Sequence, residues 1–393
     1  MMHISFNKPY YPITSILAGI RAERAGTISG NGTYTKKCQR FFEERYGFRK
    51  ALLTTSCTDA LEMAGLLAGI LPGDEVILPS FTFVSTANAF LLRGAKLVFA
   101  DVLRDIPNID PAEIESLISP KTKVIVVVHY CGIACEMDRI MELARKHDLV
   151  VIEDAAHAVD SYYNGKPLGS IGHFGTFSFH ETKNISCGEG GMLCINDERF
   201  IKQAEIIWEK GTNRAAFYRG EVEKYNWIDV GSSFLPSDML ASFLFIQLQK
   251  LEKIQGKRIS HWNMYHRALE PLEKKGYLKL AEIPSHATVN GNMFYFLMNS
   301  EAERDRMIDS LRSQGIQAVF HYLPLHSSPY FAGKHDGREL PNTERFSSTI
   351  VRLPFYYALR KSQIKFIVSK ISDFFGSRDK SGGKVARHKY SLT

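Results

Sequence analysis

Lys123-Val124-Ile125-Val126-Val127-Val128 is a run with no polar break after its first residue, and Leu149-Val150-Val151-Ile152-Glu153 repeats the pattern before Asp154. Strands that face water on one side alternate apolar and polar residues. Continuous apolarity marks strands covered on both faces, as a parallel sheet requires. Working outward, Ala51-Leu52-Leu53, Glu75-Val76-Ile77-Leu78, Lys96-Leu97-Val98-Phe99-Ala100 and Phe174-Gly175-Thr176-Phe177-Ser178-Phe179 read the same way. Helix-like stretches separate them. Asp59 to Leu71 has apolar residues at helical spacing and stops at Pro72-Gly73-Asp74, and Asp138 to His147 does the same before Asp148. The pattern predicts an α/β fold with a mostly parallel central sheet in a large domain.

Past Gly191 the text changes. A helical region around Asp238 to Arg258 leads into a stretch read as a helix (Trp262 to Lys275), strands near Met293 to Met298 and Ala318 to Tyr322, and helices at 301–313 and 361–375. The expected division is a large domain at 1–250, a smaller C-terminal α+β domain at 251–375, and a mobile basic tail at 376–393. At 393 residues the chain has material for both domains.

Hydrophobic content of 45% and charged content of 23% are ordinary for a water-soluble protein. The formal charge of +7 is unevenly placed, because Arg378, Lys380, Lys384, Arg387 and Lys389 against Asp379 carry a net +4 of it. The body is therefore nearly balanced, and no nucleic-acid partner is expected. No run approaches the roughly 20 apolar residues of a membrane span. Six cysteines without a Cys-x-x-Cys pair, and a start lacking a signal peptide's features, point to reduced thiols in a cytoplasm. Cys131 and Cys135 after His129 have no second pair to complete a zinc site, so no metal is expected.

Parallel sheets bind ligands at the carboxyl ends of their strands, where Thr54 to Thr58, Pro79 to Phe83, Asp101, His129 and Asp154 all fall. Lys183 and Asp154 supply an amine for an aldehyde and a carboxylate for a pyridine nitrogen, the two groups that pyridoxal phosphate chemistry needs most. Ser56-Cys57-Thr58 stands where a strand gives way to a helix, so free N–H groups there could cradle a phosphate or could simply be capped. Ser178 can add a hydroxyl to the same phosphate. Phe83 could stack on a planar ring or belong to the core. His157 shares a face with Asp154 if a helical turn begins there. Gly188-Glu189-Gly190-Gly191 would let the backbone turn back into the sheet. His129 and His321 are candidate substrate contacts. No Gly-x-Gly-x-x-Gly follows a strand, which disfavours a nicotinamide dehydrogenase.

Together, Ser56-Cys57-Thr58-Asp59-Ala60, Pro79-Ser80-Phe81-Thr82-Phe83, Glu153-Asp154-Ala155-Ala156-His157-Ala158, Ser178-Phe179-His180-Glu181-Thr182-Lys183-Asn184 and Gly188-Glu189-Gly190-Gly191 resemble the DegT/DnrJ/EryC1/StrS sugar aminotransferases. The resemblance covers about residues 5 to 375. It implies the aspartate-aminotransferase-like fold type I, pyridoxal 5'-phosphate as cofactor, and a homodimer whose active sites are completed across the interface. Carried over by position, Lys183 becomes the lysine bonded to the cofactor, Asp154 the partner of the ring nitrogen, and Phe83 the stacking aromatic. His157 falls near the cofactor's ring oxygen, and Ser178, Cys57 and Thr58 fall among the phosphate contacts. Where many members have Asn, supplied to the partner's site, this chain has Ser233.

The stretches Leu78 to Phe90, Glu209 to Arg214 and Val230 to Ser233 are similar to members that aminate dTDP-4-keto-6-deoxyglucose to dTDP-4-amino-4,6-dideoxygalactose. The resemblance implies that reaction, with L-glutamate as donor, for surface polysaccharide synthesis. The 4-amino-4,6-dideoxyglucose epimer or a 3-amino sugar are alternative products. A dehydratase of the same fold would carry His where Lys183 stands, and a non-catalytic binding or regulatory paralogue would not need Lys183 and Asp154.

Overall fold

The structure is a computed structural model that describes residues 3–26 and 28–381. Its main sheet has seven strands: β1 Lys50–Thr54, β2 Glu75–Pro79, β3 Lys96–Ala100, β4 Thr122–Val128, β5 Val150–Asp154, β6 Phe174–Ser178 and β7 Gly191–Ile195. They lie in the order β1-β7-β6-β5-β4-β2-β3, with only β7 running against its neighbours β1 and β6. The other pairings are parallel, so the carboxyl ends of six strands share one edge.

Burial explains the unbroken apolar runs. In β4, Ile125 and Val127 pack into the core on one face, while Val124 and Val126 pack into the core on the other. Side chains alternate across a strand, so a polar residue at any of these positions would be stranded under a helix layer. Each fully buried Val or Ile there contributes about 1.5–3 kcal/mol of hydrophobic stabilisation.

A second sheet of three short antiparallel strands, β8 Lys279–Leu280, β9 Tyr295–Leu297 and β10 Ile350–Arg352, has its own core around Trp262, Tyr265, Phe294 and Phe296. Helices Glu301–Ser313 and Lys361–Ser381 cover it. Three expectations change here. The helix expected at Trp262 is continuous from Leu251 to Lys274, and the break falls between Leu248 and Leu251, where Gln249 ends the preceding helix Asp238–Leu248. Ala318 to Tyr322 forms no strand, because only Val319 pairs, bridging to Arg352. The last helix continues past residue 375 to Ser381, and the rest of the expected tail lies outside the described residues. No helix among the described residues is long and apolar enough to cross a membrane.

Candidate active site

A cavity of about 600 Å³ opens at the carboxyl edge of the main sheet. That volume is typical of a small-molecule site. Its wall includes Ser56, Cys57, Thr58, Phe83, Asp154, His157, Ser178, Lys183 and His321, contributed by segments distant in the chain.

At one end stands the N-terminus of helix Cys57–Leu67. Ser56 caps it, its hydroxyl accepting from the Asp59 N–H at 3.1 Å, and Ser56 carbonyl accepts from Ala60. Capping and cradling thus coexist. The N–H groups of Cys57 and Thr58 are left toward the cavity, together with the positive end of the helix dipole. Gly191, the first residue of β7, fixes this terminus in place. A Cβ there would lie 2.2 Å from the Ser56 carbonyl carbon, so only glycine allows the sheet and the helix start to meet so closely.

Asp154 ends β5 and is 6% exposed. One carboxylate oxygen accepts from Thr86 Oγ1 at 2.7 Å and the other from the Ala156 N–H at 3.1 Å. Burial pushes its carboxyl pKa up, with the Thr86 bond opposing that shift. A buried carboxylate held by two donors needs a cationic partner, and a protonated pyridine nitrogen is one. Lys183 sits in the loop after β6, its N–H bonded to the His180 carbonyl at 2.9 Å. Burial lowers its amine to about 8 against smaller raising contributions from Cys57 and Asp154. The amine is therefore partly neutral near physiological pH, and a neutral amine is what adds to an aldehyde.

His157 reaches the cavity from a turn rather than from the helical turn considered above. Its Nδ1 accepts from the Cys131 N–H at 3.4 Å, which leaves Nε2 as a donor. Burial drives its pKa well down, so the ring is neutral. Phe83 is 54% exposed at the cavity wall, tilted against Tyr322 at 6.0 Å between centroids. The anion-binding helix end, amine, carboxylate and exposed aromatic face fit pyridoxal phosphate in size and in chemistry. Among the described residues no group of three His, Cys, Asp or Glu is placed to hold a metal ion.

His129 and Ser233 are not brought into the cavity. Val128 pairs with Asp154 across β4 and β5, so these two point to the cavity face while Glu153 points to the other. His129, next after Val128, follows Glu153. It is 0% exposed, donates from Nε2 to Glu153 at 2.9 Å and accepts at Nδ1 from the Cys135 N–H at 3.2 Å. With both ring nitrogens engaged behind the sheet, it cannot touch a substrate. Ser233 is exposed, away from the cavity wall of its own chain. Sequence reasoning missed Thr86, Tyr322 and Arg352, all of which line the cavity.

The family profile of the DegT/DnrJ/EryC1/StrS aminotransferase family matches residues 16–372. The chain belongs to that family. As a member, it is a pyridoxal-phosphate-dependent aminotransferase. It is 34% identical to an uncharacterised protein, MJ1066, of Methanocaldococcus jannaschii over 86% of this chain and 89% of that protein. Among solved structures, the aminotransferase TlmJ of Streptoalloteichus hindustanus superposes with a TM-score of 0.88 at 28% identity, covering 96% of this chain and 100% of that one. A putative sugar aminotransferase of Streptococcus pneumoniae, Spr1654 in its PLP form, gives 0.87 at 25% identity over 96% and 99%. The fold expected from the sequence is therefore the observed one.

For this aminotransferase the Lys183 amine gives a pH prediction. Its folded pKa lies below its ordinary value, so the neutral form is lost as pH falls through about 8. The initial rate at which apoprotein captures pyridoxal phosphate covalently is expected to be flat above about pH 8. Below that it falls by about tenfold per unit. Borohydride reduction and intact mass at timed points measure it, and a rate that stays level down to pH 6 contradicts the assignment.

Proposed function

We propose that this aminotransferase moves the amino group of L-glutamate onto the keto carbon of a nucleotide-linked sugar. The proposed substrate is dTDP-4-keto-6-deoxyglucose and the product dTDP-4-amino-4,6-dideoxygalactose, made in the cytoplasm for surface polysaccharide. The observation that carries this reading is the convergence of Lys183, Asp154 and the N-terminus of helix Cys57–Leu67 on one cavity in a chain of this family. The name of Spr1654 as a putative sugar aminotransferase supports the sugar as acceptor.

When bound, pyridoxal phosphate supplies an aldehyde that takes up an amine and a ring that accepts the electron pair left as a carbon loses its proton. The protein's part follows from the side chains. The N–H groups of Cys57 and Thr58, with the Ser178 hydroxyl, would hold the phosphate. Asp154, oriented by Thr86 and Ala156, would keep the proton on the ring nitrogen. Nε2 of His157 would be free to donate to the ring oxygen, and Phe83 would cover the ring and exclude water. Lys183 Nζ would be the amine that bonds to the aldehyde and, once free, the base that would carry a proton at the substrate carbon.

The working unit is a homodimer in which Ser233 serves the partner's site. Exposed Ile13, Ile16, Leu17 and Ile20 on helix Ile13–Arg24, and exposed Trp227, Ile228 and Val230 near Ser233, give it apolar surface to bury. The test is to incubate the protein with dTDP-4-keto-6-deoxyglucose, L-glutamate and pyridoxal phosphate and to determine the product by NMR. An axial 4-amino group is expected. An equatorial one replaces the product with its epimer, a 3-amino sugar changes the acceptor carbon, and no amination refutes the sugar.

A further inference from the structure

Glu153 precedes Asp154 in β5 and points to the opposite face of the sheet, where Val151 packs into the apolar core. It is 0% exposed, yet its carboxylate meets four donors. Oε2 accepts from His129 Nε2 at 2.9 Å and from the Gly169 N–H at 2.8 Å, while Oε1 accepts from the N–H groups of Ile171 at 2.7 Å and Gly172 at 2.6 Å. The His129 tautomer is fixed as well. Its Nδ1 already accepts from the Cys135 N–H, so Nε2 is the nitrogen that carries the hydrogen toward Glu153.

Filling this space needs no charge, since a buried carboxylate gives up its hydration and apolar replacements of buried ionic sets are often neutral or stabilising. What the carboxylate adds is fixed position. The backbone N–H of His129 donates to the Asp154 carbonyl at 3.2 Å, so the Glu153 side chain, the His129 ring, the His129 N–H and the Asp154 peptide close one ring of bonds around the end of β5. The loop at 169–172, held by the same carboxylate, runs into β6, and there the Thr176 carbonyl accepts from the Ala155 N–H at 2.9 Å, directly after Asp154. Asn196 Nδ2 closes the loop from the other side, donating to the carbonyls of Gly169 at 2.9 Å and Gly172 at 2.8 Å. Glycine is needed for this approach, because a Cβ on Gly175 would lie 2.2 Å from the Gly169 carbonyl oxygen.

From this closed ring we infer that Glu153, acting through His129 from behind the sheet, is a positioning residue that aims the Asp154 carboxylate into the cavity. The inference rests on the proposed pairing of Asp154 with the ring nitrogen and adds what holds that carboxylate in line. A bond to a ring nitrogen depends on distance and angle, and a supporting shell that slackens by about 0.5 Å is enough to spoil it. Thr86 and the Ala156 N–H set the rotation of the side chain from the front, whereas Glu153 and His129 set the peptide that carries it.

The test loads wild type, Glu153→Gln, His129→Asn, His129→Gln and Asp154→Asn with pyridoxal phosphate labelled with nitrogen-15 in the ring. NMR of the label reports protonation of the ring nitrogen directly, and the half-reaction with L-glutamate gives kcat and KM. Glutamine at 153 turns an NH2 group toward donors, and the ring nitrogen is expected to move toward its unprotonated shift. With that move kcat falls about 10- to 100-fold while KM stays within about threefold, the pattern of a group that acts on the chemical step. His129→Asn keeps an acceptor for the Cys135 N–H but loses the donor to Glu153, and it is expected to match Glu153→Gln. His129→Gln keeps that donor and is expected to lose less. This pair decides the matter if Glu153→Gln does not fold. A wild-type nitrogen shift in Glu153→Gln and His129→Asn, or a lowered unfolding temperature as their only change, overturns the positioning role while Asp154 keeps its own. An Asp154→Asn protein whose ring nitrogen is as protonated as in wild type overturns both together.

Discussion

Replacing Lys183 with alanine is expected to lower kcat by on the order of 10⁴-fold or more, because two functions vanish with one nitrogen. In the proposed mechanism the amine is both the group that bonds to the cofactor and the carrier of the proton between two carbons, and no neighbour can substitute. His157 is held neutral with Nδ1 already accepting, and Cys57 is kept protonated by burial, with Asp154 adding to that effect. The fold should tolerate the change. Lys183 lies in a loop, its backbone bond to His180 remains, and a truncated side chain there removes no packed core residue. Cofactor affinity is expected to fall less than turnover, since the phosphate cradle proposed at Cys57, Thr58 and Ser178 is untouched. Single-turnover kinetics with a keto sugar, paired with borohydride trapping and intact mass, measure both effects. Turnover within tenfold of wild type, or a trapped adduct on the alanine variant, removes Lys183 from the role.

What the sequence made legible follows from the range over which each signal acts. Runs such as Val124 to Val128 betray burial on both faces because the signal is carried by consecutive residues, and the strands they mark are β1 to β6. Residues at strand ends could be placed on one edge for the same reason. Direction is harder. Asp154 and His129 both follow parallel strands, but the register that pairs Val128 with Asp154 sends His129 to the opposite face, where Glu153 waits. That outcome depends on register between strands, which no single run contains. Arg352 and Tyr322 lay beyond reach for a stronger reason. They come from the second sheet and a loop beside it, and nothing local distinguishes Arg352 from an arginine on an ordinary strand edge. Its place appears only when the packing of that unit brings it into the wall of the cavity that also holds Asp154 and Lys183. The same limit explains Ala318 to Tyr322. Its apolar and aromatic residues suit a strand, yet only Val319 finds a partner, and the segment turns His321 and Tyr322 into the cavity instead.

Asp154→Asn separates charge from shape and is expected to lower kcat by about 10²- to 10³-fold. The amide has nearly the same volume and can still accept from Thr86, so packing around β5 is preserved. On the proposed assignment, what disappears is the negative charge that would keep the ring nitrogen protonated, and with it the ring's capacity to take up electrons as the substrate carbon loses its proton. Binding through the phosphate cradle persists, so the loss appears in kcat more than in cofactor loading. Thr86→Val provides the control. It leaves the carboxylate but removes the 2.7 Å bond that opposes the effect of burial on the Asp154 carboxyl. The carboxyl pKa then moves further up, so the acid limb of the kcat profile shifts to higher pH. The rate at neutral pH drops by only about tenfold, the worth of one hydrogen bond to a charged group. The two pH profiles, read beside the absorbance spectrum of the loaded protein, measure this. An Asp154→Asn variant that turns over like wild type, or a Thr86→Val profile whose acid limb stays in place, shows that the electron-accepting end of the ring is held by some other group.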